Sequence, residues 1–549
     1  MTPKEGPRGD LEFGTIPKMV RLVATQHDQA VALVDVDAGV SITYAQLAPA
    51  VLEAAAAFTQ SGICPGDRVA IWAPNIWEWP IAALGAQSAG AILVPLNTRF
   101  KGAEAHYVLQ RSGAKALVTV NDFLDTNYVE MLNRSCDELG PLLNLDTIVV
   151  ARGETQANTI NWQSFVARAH NADRAEVLAT LEAVKPSDIS DMLFTSGTTG
   201  KPKGVRTTHS QNLRAFRTWS HVIGLQAGDR YLVVNPFFHA FGYKAGILAA
   251  LMCGSTLLPH AVFDAAAVLE RIPRDRVSML PGPPALFHSI LARNDLDQFD
   301  LSSLRLSVTG AAAIPVTLIE DMWKRLGFAN VVTGYGLTEA TGIATMCRYD
   351  DDAETIATTS GRAIDGVEVL IVNDDNVEVP RGEPGEIVVR GYNVMVGYFE
   401  DAAETAEAID DDGWLHTGDI GTMDSRGYIK ITDRKKDMFI VGGFNAYPAE
   451  IESLMMRHPA IAQVAVVGVP DDRMGEVGHA FVVLRDGIDS TSDEIKAWCK
   501  AEMANYKAPK FVEIVLGLPL NAAGKVVKYE LRAQAQTQAP AQARASKLN

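Results

Sequence analysis

Short apolar segments alternate with helical patterns over most of the chain. Residues 67–73 (DRVAIWA) and 91–96 each predict a strand, and the apolar positions of residues 76–90 between them predict a helix. Similar apolar segments of strand length recur further along, at residues 231–234, 277–280 and 304–309. Because strands that alternate with helices form parallel sheets covered by helices, this pattern predicts an α/β fold.

The pattern changes near residue 361. Residues 361–391 contain short alternating strands separated by Asp-Asn and Pro-Gly turns, which is typical of a small antiparallel barrel or sheet. After residues 433–436 (DRKK), the chain predicts a helix, two strands, a helix and a strand, at residues 449–458, 461–469, 478–484, 492–503 and 510–515. A unit of about 100 residues is long enough to fold as a separate domain.

These changes predict two domains and a tail. A chain of 549 residues is too long for one hydrophobic core. We expect a large N-terminal domain at residues 1–433, with its β-rich part at about 361–433, then a hinge at 434–436 and a C-terminal domain at 437–532. The Ala- and Gln-rich residues 533–549 have no apolar period and predict a disordered tail.

Composition and charge narrow the classes of function. A formal net charge of −17 disfavours binding to nucleic acid or to an anionic membrane, and no apolar stretch has the length of a membrane span. The five cysteines lie far apart and lack the spacing of zinc ligands, so we expect reduced thiols without disulfides. The N-terminus has no apolar signal-peptide core, and we therefore expect a cytoplasmic protein.

The most distinctive segment is TSGTTGKPKGV at residues 195–205. It is not a Walker phosphate loop, because only two residues separate Gly197 from Gly200-Lys201 and Pro202 follows the lysine. A flexible surface loop is the simple alternative. Four hydroxyl side chains, two lysines and a preceding apolar strand favour instead a phosphate-binding loop of another type, since glycines expose backbone N–H groups to phosphate oxygens.

Five further segments follow this loop in order: NPFFHAFG (235–242), TGYGLTEATG (333–342), GWLHTGDIG (413–421), TDRKKDMFIVGGFNAYPAEIE (432–452) and NAAGK (521–525). Together the six segments resemble the motifs of the adenylate-forming superfamily, which includes acyl-CoA synthetases, peptide-synthetase adenylation domains and firefly luciferase. The resemblance extends from about residue 20 to residue 532. It implies a large N-terminal domain of stacked mixed and parallel sheets with flanking helices and a small β-barrel, followed by a smaller mobile α+β domain.

The resemblance implies that a carboxylic acid first reacts with ATP to give an acyl-adenylate and pyrophosphate. The loop would then hold the β- and γ-phosphates, through Thr195, Ser196, Gly197, Thr198, Thr199, Gly200 and Lys203. Thr338 would contact the α-phosphate and Glu339 would bind Mg²⁺. Asp419 and Arg434 would bind the ribose. The adenine would be surrounded by Gly310, Ala311, Ala312, Tyr335 and Gly336.

Taken alone, Glu339 would be a solvated residue at a helix start and Asp419 a turn residue. The resemblance also implies a catalytic Lys525, whose ammonium bridges the substrate carboxylate and the α-phosphate in the transition state. Without the motif, a lysine near a C-terminus would more often face solvent. A lysine acetyltransferase acting on Lys525 is a further expected partner.

In the second half-reaction a thiol attacks the acyl-adenylate. The resemblance implies that the C-terminal domain first turns about a hinge at Lys436. Gly442 and Gly443 would then line a tunnel for the pantetheine arm of the thiol substrate. His239 would form a gate between this tunnel and the acyl pocket, with a buried structural histidine as the alternative. No phosphopantetheine attachment site follows, which favours free coenzyme A as the acceptor.

Several segments between residues 235 and 361 resemble one actinobacterial group of acyl-CoA synthetases. That group activates HIP, the indanedione propanoate that remains after the A and B rings of steroids are removed. Four glycines would widen the pocket for a fused-ring acid, at positions 242, 246, 310 and 342. Lys244 would either meet a ring oxygen of the acid or lie on the surface. The alternatives are a medium-chain fatty or aryl acid, a ligase that loads a carrier protein, and a silent AMP-binding relative. Self-association into a homo-oligomer is left open.

Overall fold

The fold is described from a computed structural model. It describes residues 6–196, 202–310, 314–373, 375–434, 439–446, 448–485, 487–519, 526, 528 and 530–535. Five of the predicted features fall wholly or partly outside these residues: most of the phosphate loop, Ala311 and Ala312 at the predicted adenine site, the hinge at Lys436, the segment with Lys525, and residues 536–549 of the predicted tail.

Within the described residues, the strands are, in chain order, β1 (Val31–Asp35), β2 (Val40–Thr43), β3 (Arg68–Trp72), β4 (Ile92–Pro95), β5 (Ala116–Val120), β6 (Thr147–Arg152), β7 (Ile160–Asn161), β8 (Ile189–Ser196), β9 (Pro202–Thr208), β10 (Arg230–Val233), β11 (Thr256–Pro259), β12 (Leu306–Val308), β13 (Asn330–Val332), β14 (Gly334–Tyr335), β15 (Thr345–Met346), β16 (Arg362–Ala363), β17 (Val367–Val372), β18 (Gly385–Gly391), β19 (Gly397–Tyr398), β20 (Leu415–Met423), β21 (Ile429–Arg434), β22 (Phe439–Val441), β23 (Phe444–Ala446), β24 (Ile461–Asp471), β25 (Gly475–Leu484) and β26 (Phe511–Ile514).

The α-helices of the same residues are α1 (Gly9–Phe13), α2 (Ile16–Gln26), α3 (Tyr44–Gln60), α4 (Glu78–Ser88), α5 (Gly102–Ser112), α6 (Tyr128–Leu139), α7 (Trp162–Ala167), α8 (Arg174–Ala183), α9 (His209–Ile223), α10 (Ala249–Met252), α11 (Ala265–Asp275), α12 (Pro284–Leu291), α13 (Val316–Lys324), α14 (Ala353–Thr358), α15 (Ala402–Ala408), α16 (Pro448–Met455) and α17 (Ser492–Glu502). A π-helix spans Phe241–Leu248, and short 3₁₀ turns span Arg168–Asn171, Leu296–Gln298 and Thr338–Ala340.

Two sheets form the centre of the large N-terminal part. The first has the strand order β19-β9-β8-β4-β3-β5-β6-β7, and it is parallel except where β9 pairs with β8 and with β19. The second has the order β10-β11-β1-β2, and bridges through Met279 continue it to β12 and β13. Helix α4 is buried on every side, which is typical of a helix enclosed in a core. The predicted α/β class is confirmed.

The β-rich part near residue 361 is antiparallel, as its alternating pattern predicts. Strands β17, β18, β20 and β21 form a four-stranded sheet in that order. The turn before β21 is fixed by Asp424, whose Oδ1 accepts hydrogen bonds from the N–H groups of Arg426 and Tyr428. This turn sets the register of β20 and β21, in which Asp419 lies opposite Arg434.

The described residues form two separate hydrophobic cores. One contains buried side chains from Phe13 to Ile429, and the other contains buried side chains from Phe439 to Ala535. The second core lies on a sheet of order β23-β22-β25-β24, with β26 paired parallel to β25. We call these the N-terminal and C-terminal cores.

Most predicted elements agree with the structure to within a few residues, and two differ. Residues 277–280, predicted as a strand, contribute only isolated bridges at Met279. Strand β9 was not predicted, and it separates the phosphate loop from helix α9. Helix α9 begins at His209 because Thr208 and Gln211 form a capping box.

The five cysteines are free in the structure: three are buried, Cys136 is half-buried and Cys64 is exposed. In the part of the chain that the structure describes, no helix combines the length and the apolar character required to cross a bilayer.

Candidate active site

One large cavity lies where the two cores meet. Its volume is about 1820 Å³, which exceeds the range usual for a pocket that holds a single small ligand. Eleven of the predicted site residues line it: Thr195, Lys203, His239, Gly310, Tyr335, Gly336, Thr338, Glu339, Asp419, Gly442 and Gly443. Of the remaining predictions, Gly197, Thr198, Thr199, Gly200, Ala311, Ala312, Lys436 and Lys525 lie outside the described residues. Ser196 and Arg434 are described by their backbone, at the ends of β8 and β21.

The phosphate loop connects two antiparallel strands. The register pairs Thr195 with Lys203 and Ser196 with Pro202, so β8 and β9 are antiparallel neighbours on either side of the loop. We call these two strands and the segment between them the phosphate hairpin. A Walker loop, by contrast, precedes a helix. The ammonium of Lys203 forms an ion pair with Glu404 and lies 5.0 Å from the centre of the Tyr398 ring. This lysine is therefore held at the cavity wall by two residues that the sequence reasoning did not identify.

Glu339 lies in the 3₁₀ turn Thr338–Ala340 and faces the same wall. Its Oε1 accepts hydrogen bonds from Thr195 Oγ1 at 3.3 Å and from Tyr398 OH at 3.1 Å. Burial raises the pKa of the Glu339 carboxyl, while these two hydrogen bonds and the charge of Lys203 act in the opposite direction. The carboxylate is thus partly desolvated, and a cation would stabilise its charged form.

Mg²⁺ fits this wall. Among the described residues, no group of three or more His, Cys, Asp or Glu side chains is placed to hold a metal ion. Mg²⁺ does not need such a group, because it binds through one or two carboxylates and takes its other ligands from water and substrate phosphates. The single carboxylate of Glu339 beside the phosphate hairpin matches that donor set.

Asp419 and Tyr335 form the next part of the wall. Tyr335 OH donates a hydrogen bond of 2.6 Å to Asp419 Oδ2, and the Asp419 side chain is buried. Asp419 lies across the β20–β21 pair from Arg434, which brings the two predicted ribose-binding residues together. Gly336 is required by packing, since a Cβ there would lie 2.3 Å from the carbonyl oxygen of Gly342.

His239 lies in the segment 235–242, which we call the gate segment, between β10 and the π-helix. Its side chain is exposed within the cavity that it lines. Desolvation by the surrounding protein atoms lowers the pKa of His239 to about 4, so the ring is neutral at physiological pH. Its Nδ1 accepts a hydrogen bond of 3.2 Å from the N–H of Phe241, which leaves the proton on Nε2.

The C-terminal core contributes the hairpin β22–β23, residues 439–446, which we call the glycine hairpin. Gly442 and Gly443 form its turn with φ angles of 56° and 85°, which favour glycine. A Cβ on Gly442 would lie 2.5 Å from Met474 Cε, whereas a Cβ on Gly443 would meet nothing within 4 Å. Gly443 therefore faces open space. Next to it, the ring of Phe444 stacks on Phe238 of the gate segment, with centroids 6.4 Å apart.

Two predictions about the acyl pocket are wrong. Lys244 neither reaches a ligand nor lies on the surface: it is completely buried, with its ammonium 3.0 Å from Asp191 Oδ1. Gly242 and Gly246 do not line the cavity among the described residues. Gly242 allows close approach of the backbone, because a Cβ would lie 2.0 Å from Pro236 O. Gly310 and Gly342 do line the cavity, as predicted.

Sequence reasoning missed Tyr398, Glu404 and Arg99, which also line the cavity. Tyr398 reaches it because β19 pairs with β9 at the edge of the first sheet. No local pattern of charge or spacing marks these residues. Their connection to the site depends on pairing between segments far apart in the sequence.

Comparison with known proteins gives two family matches. A family model described as AMP-binding enzyme matches residues 20–399, and one described as AMP-binding enzyme C-terminal domain matches residues 450–525.

Two curated relatives carry the name 3-[(3aS,4S,7aS)-7a-methyl-1,5-dioxo-octahydro-1H-inden-4-yl]propanoyl:CoA ligase. The protein from Rhodococcus jostii is 46% identical, over 94% of this chain and 98% of its own length. The protein from Mycobacterium tuberculosis is 47% identical, over 95% of this chain and 99% of its own length.

Among solved structures, the chain is similar to a double mutant of o-succinylbenzoate CoA synthetase from Bacillus subtilis, bound with its product analogue OSB-NCoA. The TM-score is 0.80 at 28% identity, over 93% of this chain and 97% of that one.

Proposed function

Since the chain belongs to the AMP-binding enzyme family and is an acyl-CoA ligase that uses ATP and CoA, we propose that its acid substrate is HIP. HIP is the 7a-methyl-1,5-dioxo-octahydroinden-4-yl propanoate named in both curated relatives. The observation that carries this choice is 46% and 47% identity over almost the whole chain. The ligase would thus act in steroid catabolism.

The first half-reaction joins two anions, the carboxylate and ATP, so the site has to balance charge and align the reactants. The phosphate hairpin would hold the β- and γ-phosphates, with Lys203 released from Glu404 to meet them. Thr338 would contact the α-phosphate from the turn that also carries Glu339. Asp419 would accept hydrogen bonds from the ribose, and Lys525 would stabilise the charge that develops between carboxylate and α-phosphate.

Glu339 would hold Mg²⁺, which would neutralise phosphate charge at this wall when bound. The raised pKa of Glu339 supports this role, because a partly desolvated carboxylate gains more from a cation than a solvated one does. Thr195 and Tyr398 orient the carboxylate through their hydrogen bonds. The Glu339 carboxylate accepts a hydrogen bond from Thr195 of the phosphate hairpin, which supports this role.

In the second half-reaction, the thiol of CoA would reach the acyl-adenylate between the glycine hairpin and the gate segment. The open space beside Gly443 and the contact of Phe444 with Phe238 support a tunnel at this place. The similarity to a synthetase bound with a CoA product analogue supports the same arrangement of the two cores. His239 would shape the tunnel as a neutral ring, because its lowered pKa and its bound Nδ1 make it a poor base.

The acid would enter beside Gly310 and Gly342. Gly342 has a φ angle of 105°, and a Cβ there would lie 3.3 Å from Ala240 Cβ. A Cβ on Gly310 would likewise lie 3.0 Å from Thr333 Oγ1, so glycine at these two positions lets neighbouring segments pack closely at the wall. The cavity volume of about 1820 Å³ is what supports a fused-ring acid, because it leaves width beside the wall. A linear fatty acid does not need this width.

A substrate panel tests the proposal. The purified protein is assayed with ATP, Mg²⁺ and free CoA against HIP, a linear fatty acid of the same carbon number and an aryl propanoate. We expect kcat/KM for HIP to exceed the others by on the order of tenfold or more, because the misfit of the narrower acids is lost binding energy. A preference for the linear acid would overturn the choice of HIP. Acylation of a carrier protein without turnover of free CoA would identify a carrier-loading ligase instead.

The cytoplasmic location, self-association and acetylation of Lys525 remain predictions from the sequence. Mass spectrometry of Lys525 in cells grown without the acid would detect the modification.

A further inference from the structure

Lys507 is a completely buried cation that joins the two cores. Its Nζ lies 2.7 Å from Glu104 Oε1 and 2.6 Å from Glu450 Oε1, and its side chain is 1% exposed. Glu104 belongs to helix α5 beside the N-terminal core, whereas Glu450 and Lys507 belong to the C-terminal part. The ion pair of Lys507 with Glu104 therefore connects the two cores, whereas the ion pair with Glu450 lies within the C-terminal part.

Several contacts around Lys507 cross between the cores at the same place. The Lys507 ammonium lies 4.9 Å from the centre of the Phe100 ring. Asn97 Nδ2 donates a hydrogen bond of 3.4 Å to Tyr506 OH, and the Arg99 guanidinium lies 4.4 Å from the ring centre of Phe444. All the N-terminal partners come from one short segment, residues 97–104. Lys507 is the charged centre of this interface.

A stack of aromatic rings connects Lys507 with the cavity. Tyr506, next to Lys507, stacks on Phe444 with centroids 4.9 Å apart, and Phe444 stacks on Phe238. Phe238 precedes His239 in the gate segment, and Phe444 follows Gly443 in the glycine hairpin. An unbroken series of packed side chains therefore connects the interface at Lys507 with the glycine hairpin.

We propose that Lys507 is a positioning residue for thioester formation: its ion pair with Glu104 holds the glycine hairpin against the gate segment. This inference rests on the proposed function, in which the C-terminal domain takes one orientation for each half-reaction. When that domain turns towards the adenylation orientation, Glu450 moves together with Lys507, and Glu104 stays behind. The pair with Glu104 then exists only in the orientation that forms the thioester.

The charges at Lys507 support this role. Burial by itself would lower the pKa of Lys507, but the carboxylates of Glu450 and Glu104 raise it well above its ordinary value. Lys507 is therefore charged whenever the two cores meet here. The Glu104 carboxylate stabilises the Lys507 charge only where the two cores meet, so the ion pair biases the equilibrium between the two orientations.

Glu104→Gln is the most informative variant. Glu104 Oε2 also accepts a hydrogen bond of 2.8 Å from the N–H of Lys101 in the capping box of α5. Glutamine can fill the same capping position, so this change removes the charge that faces Lys507 and preserves the helix start. Lys507→Met removes the other partner. Matched controls are Glu130→Gln and Lys496→Met, which alter ion pairs within single helices.

The two half-reactions are measured separately on the full-length protein. Acid-dependent exchange of pyrophosphate into ATP reports adenylation, and CoA added to pre-made acyl-adenylate reports thioester formation. We expect Glu104→Gln to lower the thioester rate by roughly tenfold while adenylation is unchanged or faster, since coupling energies of this kind correspond to 5- to 150-fold effects. Lys507→Met should act in the same direction, and the double variant should lose less than the product of the two single effects.

An equal loss in both half-reactions would indicate a merely structural role, and a wild-type thioester rate in Glu104→Gln would overturn the inference. Failure of the proposed function would appear in the wild-type protein and not in the comparison between variants. In that case the wild-type protein itself would prefer another acid or transfer the acyl group to another acceptor, and the comparison of variants would then be made with that substrate.

Discussion

The buried pair of Lys244 and Asp191 is the clearest case of a residue whose role could not be predicted from the sequence. The sequence offered a ligand contact or a surface position for Lys244, and both were wrong. Its ammonium also donates a hydrogen bond of 3.0 Å to Thr207 Oγ1, and Asp191 accepts further hydrogen bonds from Ser190 and Asn212. Burial lowers the pKa of Lys244, and the charge of Asp191 opposes this effect.

This pair gives a stability prediction. Lys244→Met should lower the free energy of unfolding by about 3–5 kcal/mol, because it leaves the Asp191 carboxylate buried without its cation. Lys244→Met combined with Asp191→Asn should recover much of this loss, since neither charge then remains. Urea unfolding measures both variants. Lys324→Met, which removes an exposed i,i+4 pair with Glu320, serves as the control and should change stability by under about 0.5 kcal/mol. A wild-type midpoint for Lys244→Met would contradict the account.

Apart from Gly310, the predicted residues that line the cavity share one property: each lies within a motif whose order and spacing are distinctive. Thr195, Glu339, Asp419 and His239 come from four such motifs and line one cavity. Tyr398 and Glu404 line the same cavity but lie outside the motifs. A motif residue can be recognised from its local sequence, but the residue that packs against it in the fold cannot.

At the scale of elements, the turn of the glycine hairpin leads to a prediction about Gly443. Gly443→Leu should decrease CoA transfer by at least about tenfold, because the side chain would enter open space on the path of the pantetheine arm. Adenylation should stay close to wild type. The two half-reactions, measured as for Lys507, show whether only the second is affected.

The control for this variant is Gly427→Leu. Gly427 lies in the Asp424–Tyr428 turn with a φ angle of 84°, close to the 85° of Gly443, and a Cβ there would also meet nothing within 4 Å. It does not line the cavity. Both variants therefore carry a similar backbone strain, and only one of them obstructs the tunnel. Parallel losses in the two variants would show that strain alone is responsible.

Elements with a strong apolar period were predicted well, and elements fixed by pairing were not. Helix α4 and strand β3 were expected from residues 76–90 and 67–73, and the structure has them at Glu78–Ser88 and Arg68–Trp72. Strand β9 was missed because the segment PKGVRTT has a proline, a glycine and two charges. Its strand conformation depends on pairing with β8 and β19, which no local pattern shows.

At the scale of the whole molecule, the proposed function predicts that the two half-reactions require different residues of the C-terminal part. Lys525→Ala should reduce adenylation by several orders of magnitude, because the ammonium would stabilise charge in that transition state only. It should largely preserve thioester formation from pre-made acyl-adenylate. Pyrophosphate exchange and single-turnover transfer to CoA measure the two steps. Adenylation at a wild-type rate would contradict the assignment of Lys525.

The change of pattern near residue 361 and the compact pattern after residue 436 predict the order of the domains along the chain, and their bounds stay a prediction. The contacts between the parts could not be predicted in the same way. Glu104 and Lys507 are separated by 403 positions. Seen in its own segment, each would be read as an ordinary helix or loop residue, and neither segment indicates the other as a partner. Their pairing depends on how two complete cores meet.

The internal hydrogen bonds of the cavity wall have a consequence for selectivity among ligands. Lys203 is paired with Glu404, Asp419 holds the hydroxyl of Tyr335, and Glu339 holds those of Thr195 and Tyr398. A ligand that binds to this wall therefore has to replace hydrogen bonds that the wall residues already make with one another. Its affinity reflects only the difference in free energy between the new contacts and the ones they replace. Under the proposed function, pyrophosphate alone would replace only the contact of Lys203 with Glu404, whereas a magnesium nucleotide would also replace the contacts of Asp419 and Glu339. The site would then discriminate by completeness of the ligand more than by the strength of any single contact.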